Sequence, residues 1–491
     1  MTRGRARLVS AALCLGYAAA LFAFTGGYAI DDTWIHLQFA RNIAAGLGPR
    51  FMADSPPVYA CSSPAWVWLL AVPYYAGLGG IASARALSAL FSGLAVWLLR
   101  EALAGQGMAQ RWSFAGAALL AVNPWMIRWG SSGMEAAAST ATVCAILLVL
   151  SGTGRRGFLA GALCGAAFLV RPELGIAGPV CAVALSLEKA RGGMRRSLET
   201  LAVWGAAVAA WELFALEVFG RLTPTAVAAK ASASGFTGYL PSAVAEAAKS
   251  LTVSDAGMLI VILAALLPPG RSRSRLPAGA ASAFSWMLTL GLPVLLLAGR
   301  APIVSRYLLP ASPCIVFLGV TLLPRLRSVA GIPAPGIAVP VSAAASLAFG
   351  LFLVFPHIRT EDRNLQRYMD IAHFMRDSLP EGSIVAVREI GIFGYYGGQD
   401  LLDLGGLVSP QATPESFPGL DRDAMASLAF LRSQGVGYYL DPHGLVAPLM
   451  SASDRTGVRF VPLGEWVFKG GTAMTGRGTY ARVLYRLEWL R

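Results

Sequence analysis

Ala29-Ile30-Asp31-Asp32-Thr33-Trp34-Ile35-His36 is the stretch from which the rest of the chain is read. It follows a hydrophobic segment, Leu8 to Tyr28, long enough to cross a bilayer, so two adjacent carboxylates stand where a membrane helix ends. Two negative charges side by side at a low-dielectric boundary repel each other and resist desolvation, and such sites hold a proton, a cation or a substrate. The structural alternative is that the pair favours the amino end of a following helix, Thr33 to Ala44, where the helix dipole attracts negative charge.

Outward from this stretch the chain is apolar. Its 491 residues are 55% hydrophobic and 14% charged, with a mean hydropathy of +0.57, which predicts a polytopic α-helical membrane protein. Arg3, Arg5 and Arg7 precede the first segment as in a signal peptide, but its length and the lack of a clear small-residue cleavage site predict a retained helix. The formal charge of +13 sits largely in Arg clusters between hydrophobic segments, the pattern of membrane orientation and not of a nucleic-acid partner. Cys14, Cys144, Cys164, Cys181 and Cys314 lie in apolar segments, leaving Cys61 outside, so no disulfide framework follows. Four scattered histidines make no zinc-type cluster.

The topology turns on Pro64 to Gly79. If it lies in the outer leaflet without crossing, the later spans read Ile81 to Leu103, Trp112 to Ile127, Ala136 to Leu150, Phe158 to Val170, Leu174 to Leu187 and Leu198 to Phe219. Ala256 to Leu267, Ala278 to Ala298, Tyr307 to Leu323 and Ile337 to Phe355 complete the set. In that register Arg100/Arg111, Arg155/Arg156, Lys189/Arg191/Arg195/Arg196, Arg271/Arg273/Arg275 and Arg325/Arg327 all face the cytoplasm, and a crossing would put every cluster outside. The expectation is a transmembrane domain over 1–356 with about eleven spanning helices, one interfacial helix and a first outer loop at 29–80.

The same register leaves the Asp31-Asp32 pair, Arg128, Gly133-Met134-Glu135, Arg171-Pro172-Glu173, Arg221 to Lys230 and Arg300 to Tyr307 on one outer face. The spans flanking Pro172 are short, which predicts that Arg171 and Glu173 sit below the membrane surface in a cavity shielded from lipid. Each of these residues has a structural reading of its own. Arg171 and Glu173 can form an internal ion pair, Arg306-Tyr307 an interfacial anchor, Glu135 a helix start, and Lys230 a solvated loop residue. Their joint placement on the side of the acidic pair favours a site.

From His357 the character changes. A helix over Glu361 to Leu379, strands at Ser383 to Val387, Leu401 to Leu404 and Gly437 to Asp441, and a helix over Arg422 to Arg432 predict a small extracytoplasmic α/β domain at 357–491. Gly391, Gly394, Gly397 and Gly398 lack dinucleotide-fold spacing and are read as turn formers.

The run Asp31-Asp32-Thr33-Trp34-Ile35, with Ala40-Arg41-Asn42 and Gly46-Leu47-Gly48, resembles the first outer loop of bacterial GT-C glycosyltransferases that use polyprenyl-phosphate sugars. The resemblance is to the group containing the mycobacterial terminal arabinofuranosyltransferase. It continues in order through Val58-Tyr59 with Ser62-Ser63-Pro64 and Trp66, then Ser132-Gly133-Met134-Glu135 and Arg171-Pro172-Glu173. Arg306-Tyr307-Leu308-Leu309-Pro310 and Gly391-Ile392-Phe393-Gly394-Tyr395-Tyr396 close the series. The chain departs from the family at Thr223-Pro224-Thr225, where an Asn usually follows the proline, at Ala136 in place of Thr, and at Arg388-Glu389 where an Asp is frequent.

The resemblance implies a lipid-linked donor, decaprenyl or undecaprenyl phosphate, and a glycan, lipid or protein acceptor outside the bacterial cytoplasmic (inner) membrane. One of Asp31 and Asp32 would take the proton of the acceptor hydroxyl while its neighbour orients the acceptor or raises the base's proton affinity. Arg171, Lys230 and Arg306 would stabilise charge on the departing phosphate. Glu135 and Glu173 would bind sugar hydroxyls or orient those cations, Trp34 would offer an apolar face to a sugar ring, and Arg41 and Tyr307 join them as substrate-binding candidates. A divalent cation between Asp31 and the phosphate is compatible with this chemistry, although no oxygen-ligand loop is identifiable. The competing readings are a transporter or flippase for an anionic or lipid-linked substrate, which the lack of a visible repeat disfavours, and a receptor, for which nothing cytoplasmic is large enough to signal.

Overall fold

The computed structural model describes residues 3–490 apart from 153–156, 189–191, 226–235, 267–276, 278, 300–303, 331–333, 413–416, 418–422, 443–445, 447–449, 452–456 and 471–477. Helix α1 (Arg3–Phe24) leads into α2 (Asp31–Ala44), α3 (Pro64–Tyr75) and α4 (Ile81–Gly105). Then come α5 (Gln110–Ala121), α6 (Pro124–Trp129), α7 (Ala136–Leu150), α8 (Gly157–Val170), α9 (Ala177–Ser186) and α10 (Gly193–Phe219). They are followed by α11 (Phe236–Leu266), α12 (Ala280–Ala298), α13 (Ser305–Leu308), α14 (Ser312–Ala330) and α15 (Ala334–Phe349).

Among the described residues, six helices are long and apolar enough to cross a membrane, fewer than the eleven or so expected. Four more apolar helices are shorter: Leu8–Phe24, Ala136–Leu150, Gly157–Val170 and Pro172–Ser186. One difference has a visible cause. Trp112 to Ile127, expected as one span, is broken because the Asn123 side chain accepts from the backbone N–H groups of Trp125 and Met126 (3.0 and 3.3 Å) and Pro124 opens a new helix. Helix α3 has 12 residues, about 18 Å, too short to cross a hydrocarbon core.

A second difference lies at the expected domain boundary. Helix α15 runs through a π-helical turn, Gly350–Val354, into α16 (Phe355–Ser378), so that Gly336–Ser378 is one apolar-to-polar helix of 43 residues, about 65 Å long. The π turn lies just before Pro356, which has no N–H to offer the helical ladder.

Beyond it, β1 (Ile384–Val387), α17 (Gly391–Tyr396), β2 (Asp400–Asp403), α18 (Ala424–Ser433), β3 (Tyr438–Pro442), β4 (Val458–Lys469) and β5 (Thr479–Trp489) form a mixed sheet in the order β2-β1-β3-β5-β4. The first three strands are parallel and the last hairpin antiparallel. Gly391 and Gly394, expected in turns, are helical residues of α17; only Gly398 of that set has a left-handed φ, at 68°.

What positions the site is a shared core. Trp34, Leu37 and Phe39 of α2 and Phe51 pack in one cluster with Ile371 and Met375 of α16, Ile392 and Phe393 of α17, and Leu440 and Leu484 of the sheet. The segment 29–80 and the sheet domain therefore exclude water as one body.

Candidate active site

Consecutive helical residues point about 100° apart, so Asp31 and Asp32, both in the first turn of α2, face different surroundings. Asp31 turns toward the sheet domain. Its Oδ2 accepts from the Gly391 N–H (2.9 Å) and its Oδ1 from the Ile392 N–H (3.0 Å), closing the amino end of α17. A Cβ at Gly391 would lie 2.0 Å from the Asp31 carbonyl oxygen, so only glycine permits this approach. Asp31 keeps some accessible surface, but its carboxyl is packed round by protein. Burial pushes its pKa up to about 7, against the two N–H donors and with a smaller push from Glu389 and Asp32.

Residues on the same side of α2 serve the same contact. Trp34, 1% exposed, packs against the rings of Tyr395 and Tyr396 at 5.2 and 5.0 Å. Arg41 donates to the Tyr395 carbonyl (3.2 Å) and to Gln38 Oε1 (2.6 Å) and lies over the Tyr395 ring at 4.6 Å. Trp34 and Arg41, expected at the substrate, thus join α2 to α17.

Asp32 turns the other way. Its Oδ2 accepts from Arg306 Nη2 at 2.5 Å. Arg306 also approaches the Tyr307 hydroxyl at 3.5 Å, and its Nε has no hydrogen-bond partner among the described residues. Arg171, from the break between α8 and α9, donates to Glu135 Oε1 and to Glu173 Oε1 and stacks over Tyr307, 4.3 Å from the ring centre. Asp32, His36, Glu135, Arg171, Arg306 and Tyr307 line a cavity of about 30 Å³, with Cys61 and Leu407 on its wall. Two guanidinium groups and two carboxylates held beside α2 suit a phosphate-bearing group: arginine presents forked donors, and the carboxylates hold the forks in place.

Six of the ten expected residues therefore meet: Asp32, Glu135, Arg171, Glu173, Arg306 and Tyr307. Asp31, Trp34 and Arg41 lie at the junction with the sheet domain, and Lys230 lies outside the described residues. Among the described residues no group of three or more His, Cys, Asp or Glu side chains is set to hold a metal ion. The sequence reading missed His36, whose Nδ1 is 3.9 Å from Glu135 Oε2; it stands one helical turn after Asp32 and so on the same face. It also missed a clasp in which Arg128 donates to the Tyr28 hydroxyl (3.0 Å) and pairs with Glu361 (3.2 Å), itself 3.1 Å from His357.

A family model described as a domain of unknown function (DUF8728) matches residues 356–480. No curated protein sequence matches the chain. Among solved structures, ArnT from Cupriavidus metallidurans is similar over 96% of this chain and 97% of its own, with a TM-score of 0.64 at 15% identity in the apo state. Bound to undecaprenyl phosphate it gives a TM-score of 0.61 at 16% identity over the same shares. The apo oligosaccharyltransferase from Archaeoglobus fulgidus is similar over 99% of this chain and 74% of its own, with a TM-score of 0.56 at 10% identity. The fold of this chain is GT-C-like.

Proposed function

We propose that this protein is an integral membrane glycosyltransferase that moves a sugar from a polyprenyl-phosphate donor to an acceptor on the outer side of the bacterial cytoplasmic membrane. The observation that carries the reading is the division of the acidic pair: in a GT-C-like fold, one carboxylate pairs with an arginine of a pocket that holds two guanidinium groups while its neighbour faces away from it. The undecaprenyl phosphate held by ArnT is the kind of leaving group such a pocket suits.

In direct displacement the acceptor hydroxyl attacks the sugar's anomeric carbon from the side opposite the phosphate. The new C–O bond forms as the bond to the phosphate oxygen breaks, and the electron pair leaves on the lipid phosphate. Arg306 and Arg171 take up that charge, fixed by Asp32, Glu135 and Glu173. The hydroxyl proton goes to Asp31. A carboxylate tied to Arg306 is a poor base, whereas one whose pKa stands near 7 is matched to the task. Lys230 is assigned to the same phosphate.

Sugar release from radiolabelled polyprenyl-phosphate sugars and from nucleotide sugars, by membranes carrying wild type, Asp31→Asn or Asp32→Asn, tests this. The expected result is consumption of lipid-linked donors alone, with Asp31→Asn lowering kcat about 10²- to 10⁴-fold at unchanged donor affinity and Asp32→Asn weakening donor binding. Full turnover by folded Asp31→Asn overturns the assignment of the base. Turnover of nucleotide sugars overturns the orientation.

A further inference from the structure

On the Asp31 side of α2 lies a second cavity, of about 550 Å³, between α16, the start of α17 and the β4–β5 hairpin. Its size is that of a ligand site and not of a packing gap. Asp31, Glu361, Tyr368, Glu389, Lys469 and Tyr480 are on its wall, and Asp32, Arg171 and Arg306 are not. The two cavities flank the acidic pair and differ in chemistry: the smaller sets two guanidinium groups against two carboxylates, the larger three carboxylates against one lysine.

The carboxylates of the larger cavity are held from behind. Glu361 is paired with Arg128 and His357, and Glu389 with Arg482. Glu389 Oε2 is buried without a hydrogen-bond partner among the described residues, an acceptor in need of a donor. Tyr480 lines the cavity, lies parallel to the buried ring of Phe468, 5.3 Å away at 9°, with the Arg482 guanidinium 5.8 Å from its ring centre, and remains 39% exposed. Tyr368 packs on Phe468 from another direction, at 4.7 Å.

We infer that this cavity binds the hydroxyl-rich, non-anionic end of a glycan acceptor, with Tyr480 stacking on a sugar ring and the carboxylates accepting from its hydroxyls. The inference rests on the glycosyltransferase reading for the word acceptor, but the binding does not depend on turnover. Carboxylate oxygens and a stacked phenol are complementary to a neutral sugar, which donates hydroxyls and offers an apolar C–H face. They oppose a uronate or a phosphorylated sugar, which brings further acceptors to a wall whose carboxylates already accept and whose backing cations, Arg128 and Arg482, are already paired.

The test uses the full chain in lipid nanodiscs and saturation-transfer NMR with methyl glycosides of neutral pentose and hexose disaccharides, beside their uronic-acid counterparts. At least one neutral disaccharide should bind and its uronate should not. Tyr480→Ala should weaken binding at least tenfold, and so should Thr479→Trp, which fills the cavity from an exposed strand position. Absence of any neutral binder, equal binding of the uronate, or binding unchanged in both folded variants overturns the inference. Sugar release from polyprenyl-phosphate donors by the same wild-type preparation reads the other proposal separately. Disaccharide binding without donor consumption keeps the cavity and sinks the transferase. Donor consumption without disaccharide binding does the reverse.

Discussion

A buried carboxyl with a pKa raised from 3.8 to about 7 holds its proton in the native state over a range where the unfolded chain has lost it. The stability contribution of Asp31 therefore falls as pH rises from about 4 to about 7 and is constant above. Asn cannot titrate, so the melting temperature of Asp31→Asn relative to wild type should climb between pH 5 and pH 8; a constant difference would mean that the carboxyl is not perturbed. The proposed role of Asp31 as base gives turnover the opposite slope, because a base must be ionised: log kcat/KM should rise by about one per pH unit up to about pH 7 and then level. Gly391 supplies a steric test of the same contact. Gly391→Ala, with its Cβ 2.0 Å from the Asp31 carbonyl, should lower stability by roughly 1–3 kcal/mol, whereas Gly437→Ala, with nothing within 4 Å, should not. The sequence shows that two acids stand together where a membrane helix ends, but it makes them look equivalent. Only what packs on each face of α2 separates them, and those partners are some 270 and 360 residues away.

At the scale of the element, hydropathy reads composition and misses capping. Trp112 to Ile127 is apolar throughout, yet Asn123 and Pro124 end one helix and start another within it. Asn123 also lies in a buried polar cluster, its Nδ2 3.5 Å from Asp255 Oδ1 and 3.4 Å from Ser312 Oγ. Asn123→Ala should cost about 1 kcal/mol as a lost cap, and Asn123→Asp should cost more despite keeping the cap acceptor, since it sets a second carboxyl against Asp255. Thermal unfolding in detergent ranks the two; the reverse order would assign the residue's role to capping alone. Strands β1, β2 and β3 were legible as short apolar runs, but β4 and β5 were not. Pro462 and Gly464 flank a register shift in β4 and read as a turn, and β5 carries Arg482, Arg486 and Glu488 among its apolar residues. Arg482 is nevertheless 4% exposed, held by Glu389, a pairing that strand periodicity cannot reveal.

For the whole molecule, polar residues begin near residue 356, where the sequence places a domain boundary, but the 43-residue helix passes straight through that point. The sheet domain meets α2 through the shared apolar core, and the Arg128–Glu361–His357 clasp ties α6 to α16 beside it. The clasp lets the two contributions be separated. Arg128 is 8% exposed and Glu361 keeps 28% of its side-chain surface, so the pair lies between an exposed bridge worth up to about 1 kcal/mol and a buried one whose breaking costs about 3 kcal/mol or more. Arg128→Met keeps the apolar stem against Trp129 and removes the charge, leaving Glu361 with His357 and the Tyr28 hydroxyl. If the clasp seats the sheet domain, amide exchange in Gly391–Tyr396 should quicken in this variant while exchange in β3 stays slow, because loosened docking exposes α17 without melting the sheet. Turnover should fall with it, since Asp31 is oriented by the amides of Gly391 and Ile392. Quicker exchange across the whole sheet would instead make the clasp part of the domain's own stability, and unchanged exchange would assign the docking to the apolar core.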